Sequence, residues 1–93
     1  MTKNRSYYYA VNPKIIFRRE GKEAILYNTD SGDMEILNKT GVFIFKLCNG
    51  RNTLEDIVSK ALKRYTGHGR KIRLDIKRFI IGLKKNKTIE VVR

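Results

Sequence analysis

Leu37-Asn38-Lys39-Thr40-Gly41-Val42-Phe43-Ile44-Phe45-Lys46-Leu47-Cys48-Asn49-Gly50 is where the chain changes its hydrophobic period. Asn38 is a favoured N-cap type, because its short side chain can accept from a first-turn amide that otherwise lacks a partner. Val42, Phe43, Ile44, Phe45 and Leu47 then supply a helix that is apolar nearly all round. A helix without a polar face belongs in the interior. Cys48-Asn49-Gly50 ends it, with Gly50 suited to a left-handed C-cap.

Upstream of this segment the pattern is that of short strands. Ile15-Ile16-Phe17-Arg18-Arg19-Glu20 and Glu23-Ala24-Ile25-Leu26-Tyr27-Asn28 flank Gly21-Lys22, which reads as a tight hairpin turn. Thr29-Asp30-Ser31-Gly32-Asp33 is dense in turn formers, and Met34-Glu35-Ile36-Leu37 makes a third strand. A meander this small must pack on something else to be stable. Residues 1–12 show no period and are expected to form a partly ordered arm before a domain spanning residues 13–93.

Downstream, Thr53-Leu54-Glu55-Asp56 fits a capping pattern, followed by Ile57, Val58, Ala61, Leu62 and Tyr65 at helical spacing. Gly67-His68-Gly69 breaks the chain, and a third helix is expected from about Leu74 to Asn86. Its core stripe is Ile72, Ile76, Phe79 and Leu83. Thr88-Ile89-Glu90-Val91-Val92 alternates like an edge strand. The expected fold is α+β: a three-stranded antiparallel sheet packed on a winged helix-turn-helix of three helices.

Composition narrows the function. The 93 residues hold one domain, and with 41% hydrophobic content they can bury a core. Apolar runs stay far short of the roughly 20 residues that cross a bilayer, and the residues after Met1 do not read as a signal peptide. The single Cys48 excludes an internal disulfide and suits a small buried thiol, so the expected location is cytoplasmic. Catalytic chemistry has few candidates: His68 sits between two glycines as a solvated spacer, and Cys48 lies inside the first helix. No CxxC, paired His or phosphate-binding glycine motif is present, so neither enzyme activity nor a metal or cofactor is expected. The net charge of +12 instead favours an anionic partner.

The order and spacing of several pieces resemble the PqqD-like proteins, also called RiPP recognition elements. The pieces are Arg19 and Glu20, the Thr29–Asp33 turn, Leu37-Asn38-Lys39-Thr40-Gly41 leading to Leu47-Cys48-Asn49-Gly50, Thr53–Ile57, Tyr65, and Asp75-Ile76, Phe79-Ile80 and Leu83. They extend from Pro13 to about Val92. The resemblance implies that the leader segment of a ribosomally made precursor peptide binds as an added strand beside the third strand, in a groove shared with the third helix. It also implies a standalone, non-catalytic module whose partner is a maturation enzyme, such as a radical SAM enzyme, a cyclase or a leader protease. The charge exceeds that expected of the family, and Asn86-Lys87-Thr88-Ile89 replaces a more apolar ending.

The residues suit that role independently. An open strand edge offers unpaired amides and carbonyls, and a peptide can use them by strand addition. Met34, Glu35, Ile36 and Leu37 hold one charge and no proline. On the third helix, Leu74 and Ile81 lie nearly opposite the core stripe, beside Arg78 and Lys85, and Gly82 leaves room for a second backbone. With Asp75 these are the candidate peptide-binding residues, and an acidic leader is the expected ligand. The helical wheel alone leaves open which flank of the third helix faces the strand. Two other readings stand beside this one. The first is a DNA-binding winged helix using Arg73, Lys77, Arg78 and Lys84; nucleic acid is the less favoured partner because the helix offers no Asn or Gln on its exposed part to read adenine. The second is a structural or regulatory subunit with no peptide site.

Overall fold

The computed structural model describes residues 7–92. In chain order the elements are β1 (Tyr8–Val11), β2 (Ile15–Glu20), β3 (Glu23–Asn28), β4 (Met34–Leu37), α1 (Lys39–Lys46), α2 (Leu54–Arg64), α3 (Gly69–Lys85) and β5 (Ile89–Val92). Strands β2, β3 and β4 form an antiparallel sheet in that order. Its first turn is the two-residue Gly21-Lys22 loop, where Gly21 takes a φ of 64°, a conformation that favours glycine. In the second turn the Asn28 side chain accepts from the amides of Asp30 and Ser31, and its carbonyl accepts from Gly32. These strands and the three helices match the expected α+β architecture.

One face of the sheet closes the core. Ala24, Leu26 and Leu37 are buried with Ile44 and Phe45 of α1, Ile57, Val58 and Ala61 of α2, and Ile76, Ile80 and Leu83 of α3. Phe17 stacks on Phe45 with ring centroids 5.7 Å apart. Removing each large aliphatic side chain from water contributes roughly 1.5–3 kcal/mol, which is what holds short strands on short helices. As expected of its all-round apolarity, α1 buries Gly41, Val42, Ile44 and Phe45.

Three local expectations need correction. Helix α3 begins at Gly69, not near Leu74, so the glycine is absorbed as the first helical residue, where few intrahelical bonds depend on it. Helix α1 ends at Lys46 with Leu47 as its C-cap. Gly50 does have positive φ, yet its amide donates to the Tyr9 carbonyl and does not cap α1. Finally, residues 8–11 of the expected arm form a strand: β1 pairs antiparallel with β5, and its other side meets residues 49–52 through Gly50 N–H to Tyr9 O and Tyr9 N–H to Asn52 O. Residues 1–6 of the expected arm lie outside the described residues.

The α2 N-terminus is closed by a reciprocal capping box. The Thr53 hydroxyl accepts from the Asp56 amide, and the Asp56 carboxylate accepts from the Thr53 amide. That backbone bond, followed by the bond from the Thr53 side chain, holds the Asp56 carboxyl below its ordinary pKa of 3.8. Thr53→Ala should destabilise the fold by about 1 kcal/mol in urea titrations at neutral pH. The Asp56 contribution has a depressed folded pKa, so it is complete above 3.8 and is lost as the pH falls through the lowered value. Asp56→Asn should therefore flatten the acid limb of a pH series of thermal melts.

Burial pushes the Cys48 thiol up to about 12. The native protein should react with a disulfide reagent orders of magnitude more slowly than free cysteine, and unfolding in guanidinium should abolish the difference.

Candidate functional site

The hydrogen-bond phase of the sheet determines which backbone groups are free. Asn28 N–H donates to Asp33 O on the β4 side, while Thr29 N–H donates to Lys14 O on the β2 side. Because successive residues alternate, Leu26 and Ala24 direct their peptide groups toward β4, onto their register partners Glu35 and Leu37. Met34 and Ile36 consequently direct their N–H and C=O groups away from the sheet. Among the described residues no strand pairs with this edge. Their side chains also lie open, Met34 being 64% and Ile36 69% exposed.

A cavity of about 290 Å³ lies beside that edge, lined by Glu35, Ile36, Leu37, Asn38, Thr40, Gly41, Ile44, Asp75, Ile76 and Phe79. Thus β4, the start of α1 and one flank of α3 share a groove. A smaller recess of about 120 Å³ continues from it past Thr40, Ile44, Asp75 and Ile76 to Ala61, Tyr65 and Ile72. The Tyr65 ring is held edge-on against Phe43, and its buried hydroxyl has no hydrogen-bond partner among the described residues. The opposite flank of α3 faces α2, where the Arg73 guanidinium donates to both Glu55 carboxylate oxygens at 2.8 and 2.9 Å. This settles the choice of flank that the wheel left open.

The electrostatics of the groove differ from those of the molecule. Two carboxylates line it. Asp75 is paired with Lys71 at 3.3 Å. Glu35 receives a long hydrogen bond from the Thr88 hydroxyl at 3.4 Å, yet burial outweighs it and raises the Glu35 pKa. The groove walls are otherwise largely apolar, so they suit apolar side chains, and a third carboxylate there would be repelled.

Of the candidate residues, the structure brings Glu35, Ile36, Leu37 and Asp75 together around the cavity. Met34 lies on the same strand and lines a neighbouring depression with Asn28 and Thr88. Arg78 and Gly82 belong to the groove-side flank of α3 by helical position but do not line the cavity; a Cβ at Gly82 would meet nothing within 4 Å. Leu74 and Ile81 are 46% and 54% exposed on the outward face, and Lys85 borders a depression with Asp30 and Asp33. Asn38, Thr40, Gly41, Ile44, Ile76 and Phe79 complete the lining and were not singled out from the sequence as site residues. Gly41 carried a signal: a glycine inside a helix costs about 1 kcal/mol relative to alanine. A Cβ there would stand 3.4 Å from Asn38, Leu37 and Phe79 and would project into the space between α1 and α3. Arg73, one of the four candidate phosphate contacts, is occupied by Glu55.

Comparison with known proteins follows the same outline. The fold is similar to that of TbiB1 in complex with the TbiA(beta) leader peptide (TM-score 0.78, 18% identity, covering 87% of this chain and 94% of that one). It is also similar to lasso peptide synthetase B1 complexed with the leader peptide (TM-score 0.77, 20% identity, 88% and 96% covered). A third similar structure is the heterocyclase TruD, of which the match covers 12% against 92% of this chain (TM-score 0.65, 19% identity). No curated protein matches the sequence. The family model described as coenzyme PQQ synthesis protein D (PqqD) matches residues 23–89, from the first residue of β3 to the first of β5, and the chain belongs to that family.

Proposed function

We propose that this protein binds the leader segment of a ribosomally synthesised precursor peptide as a fourth strand on β4 and presents it to a modifying enzyme or protease, taking no catalytic part itself. The observation that carries this reading is the outward-directed peptide groups of Met34 and Ile36 beside a cavity shared with α3. Backbone pairing supplies attraction that tolerates many sequences, and the cavity supplies selection. The solved complexes of TbiB1 and lasso peptide synthetase B1 with leader peptides support it.

The other edge of the same sheet is a poorer platform. Strand β2 carries Arg18, Arg19 and Glu20, charges of the kind that protect an edge from pairing. On β4 the leader would place apolar side chains into the groove, and one of its polar groups would satisfy the spare Tyr65 hydroxyl. The net charge of +12 gathers acidic stretches of leader, but Glu35 and Asp75 direct those stretches outside the cavity, toward Arg78 and its neighbours. A flexible peptide loses entropy on ordering, so affinity on the order of micromolar suffices. Once bound, the leader holds its core peptide at high local concentration for the enzyme, whether radical SAM enzyme, cyclase or protease, in the cytoplasm.

Proline scanning with a labelled cognate leader tests the register. Ile36→Pro removes an outward amide without touching the β3 ladder, and should weaken leader binding about tenfold. Arg19→Pro makes the same change on the outward side of β2 and should leave binding unaltered. Equal effects of the two, with both variants folded, would refute strand addition on β4. Gly41→Val gives a second reading, because its side chain enters the cavity between α1 and α3, and binding should fall.

The Glu35 charge has a raised folded pKa, so its burial lowers stability as the pH rises from 4.5 through the raised value, and the full cost is present above it. Glu35→Gln should therefore stabilise the free protein at neutral pH and remove that decline in a melt series.

A further inference from the structure

The outward face of α3 carries a stripe that the leader groove does not use. Arg70, Leu74, Lys77, Ile81 and Lys84 recur at spacings of four, three, four and three residues. At 100° per residue they fall within about 80° of one another, centred roughly 110° around the helix from the buried Ile76, Ile80 and Leu83, on the side of Arg73. Cations and apolar residues alternate along it. Asp75 is already engaged by Lys71, and Glu55 by Arg73. Arg70, Lys77 and Lys84 have no ion-pair partner among the described residues.

From this stripe we infer a second docking surface, which receives an acidic amphipathic helix of a partner protein. An average spacing of 3.5 residues is the seam spacing of two helices packed side by side. Leu74 and Ile81, seven residues apart, supply the knobs, and the three cations seven residues apart select carboxylates on the facing helix. A second copy of this chain is the wrong occupant, since its stripe is equally positive. A duplex fits poorly too, because two of the five positions, Leu74 and Ile81, are aliphatic and offer no hydrogen bonds to base edges. Identifying the partner as the modifying enzyme rests on the leader-binding reading; the stripe itself does not. Helix α3 would then carry leader on one flank and enzyme on the far side, so that one helix separates substrate from catalyst.

The test uses the full chain, a synthetic leader and the purified modifying enzyme that acts on the same precursor. Lys77→Glu with Lys84→Glu, and separately Leu74→Ser with Ile81→Ser, should each weaken enzyme binding about tenfold, with leader binding changed less than about twofold. Both pairs lie on the surface, and circular dichroism checks that they fold. Enzyme binding unchanged by either pair, or absent in the unaltered chain, overturns the inference. Loss of leader binding in these variants also overturns it by assigning the stripe to the peptide, as does stripe-dependent binding of duplex DNA or of anionic vesicles with no binding of enzyme. If the unaltered chain binds enzyme through the stripe but no leader, the docking surface stands and the leader-binding reading fails.

Discussion

A strand in a sheet has two rows of peptide groups, and β4 has only one row satisfied. Strand β3 takes the groups of Glu35 and Leu37, and those of Met34 and Ile36 are left directed outward. The rest of the fold keeps this edge open. Strand β1 does not cover it, being held by β5 on one side and by residues 49–52 on the other. The core fixes α1 and α3 at a distance from β4 that leaves a cavity of about 290 Å³. Open backbone and adjoining cavity thus arise from one arrangement, and the proposed strand addition makes use of both.

Electrostatics divide the molecule in a way that net charge conceals. The chain is strongly basic as a whole, but its groove contains Glu35 and Asp75 and is otherwise largely apolar. Long-range attraction and local selection therefore favour different parts of an anionic peptide. The field acts on the approach, and the groove acts on the few side chains that enter it. The basic stripe on α3 lies outside the groove, on the other side of the same helix, so two partners need not compete for one surface.

Much of the fold was legible in local signals. Asn38 and Thr53 both mark helix starts through side-chain bonds to the third amide, and Gly21-Lys22 sets the hairpin register. Strands β2, β3 and β4 fall where alternation puts them. The failures have physical causes. Gly69 looks like a breaker, yet the first turn of a helix has few bonds to lose there. Tyr8–Val11 shows no period because β1 is half-buried along its length, so neither face stands out as polar. The site was only partly legible. A strand edge can be read as short and nearly uncharged, as Met34–Leu37 was, but its partner flank on α3 depends on where α2 packs, a long-range fact expressed in the Arg73–Glu55 pair. Leu74 and Ile81 were conspicuous as surplus apolar residues and lie on the outward face, whereas Gly41, Ile44 and Phe79 do their work as ordinary-looking core neighbours.

Amide hydrogen exchange on the labelled protein, with and without a saturating leader peptide, is the most direct measurement of the open edge. In the free protein the amides of Glu35 and Leu37 should be protected and those of Met34 and Ile36 should exchange quickly; the leader should slow the latter two specifically. Protection of Met34 and Ile36 before any peptide is added, or rapid exchange that persists at saturation, would contradict the account.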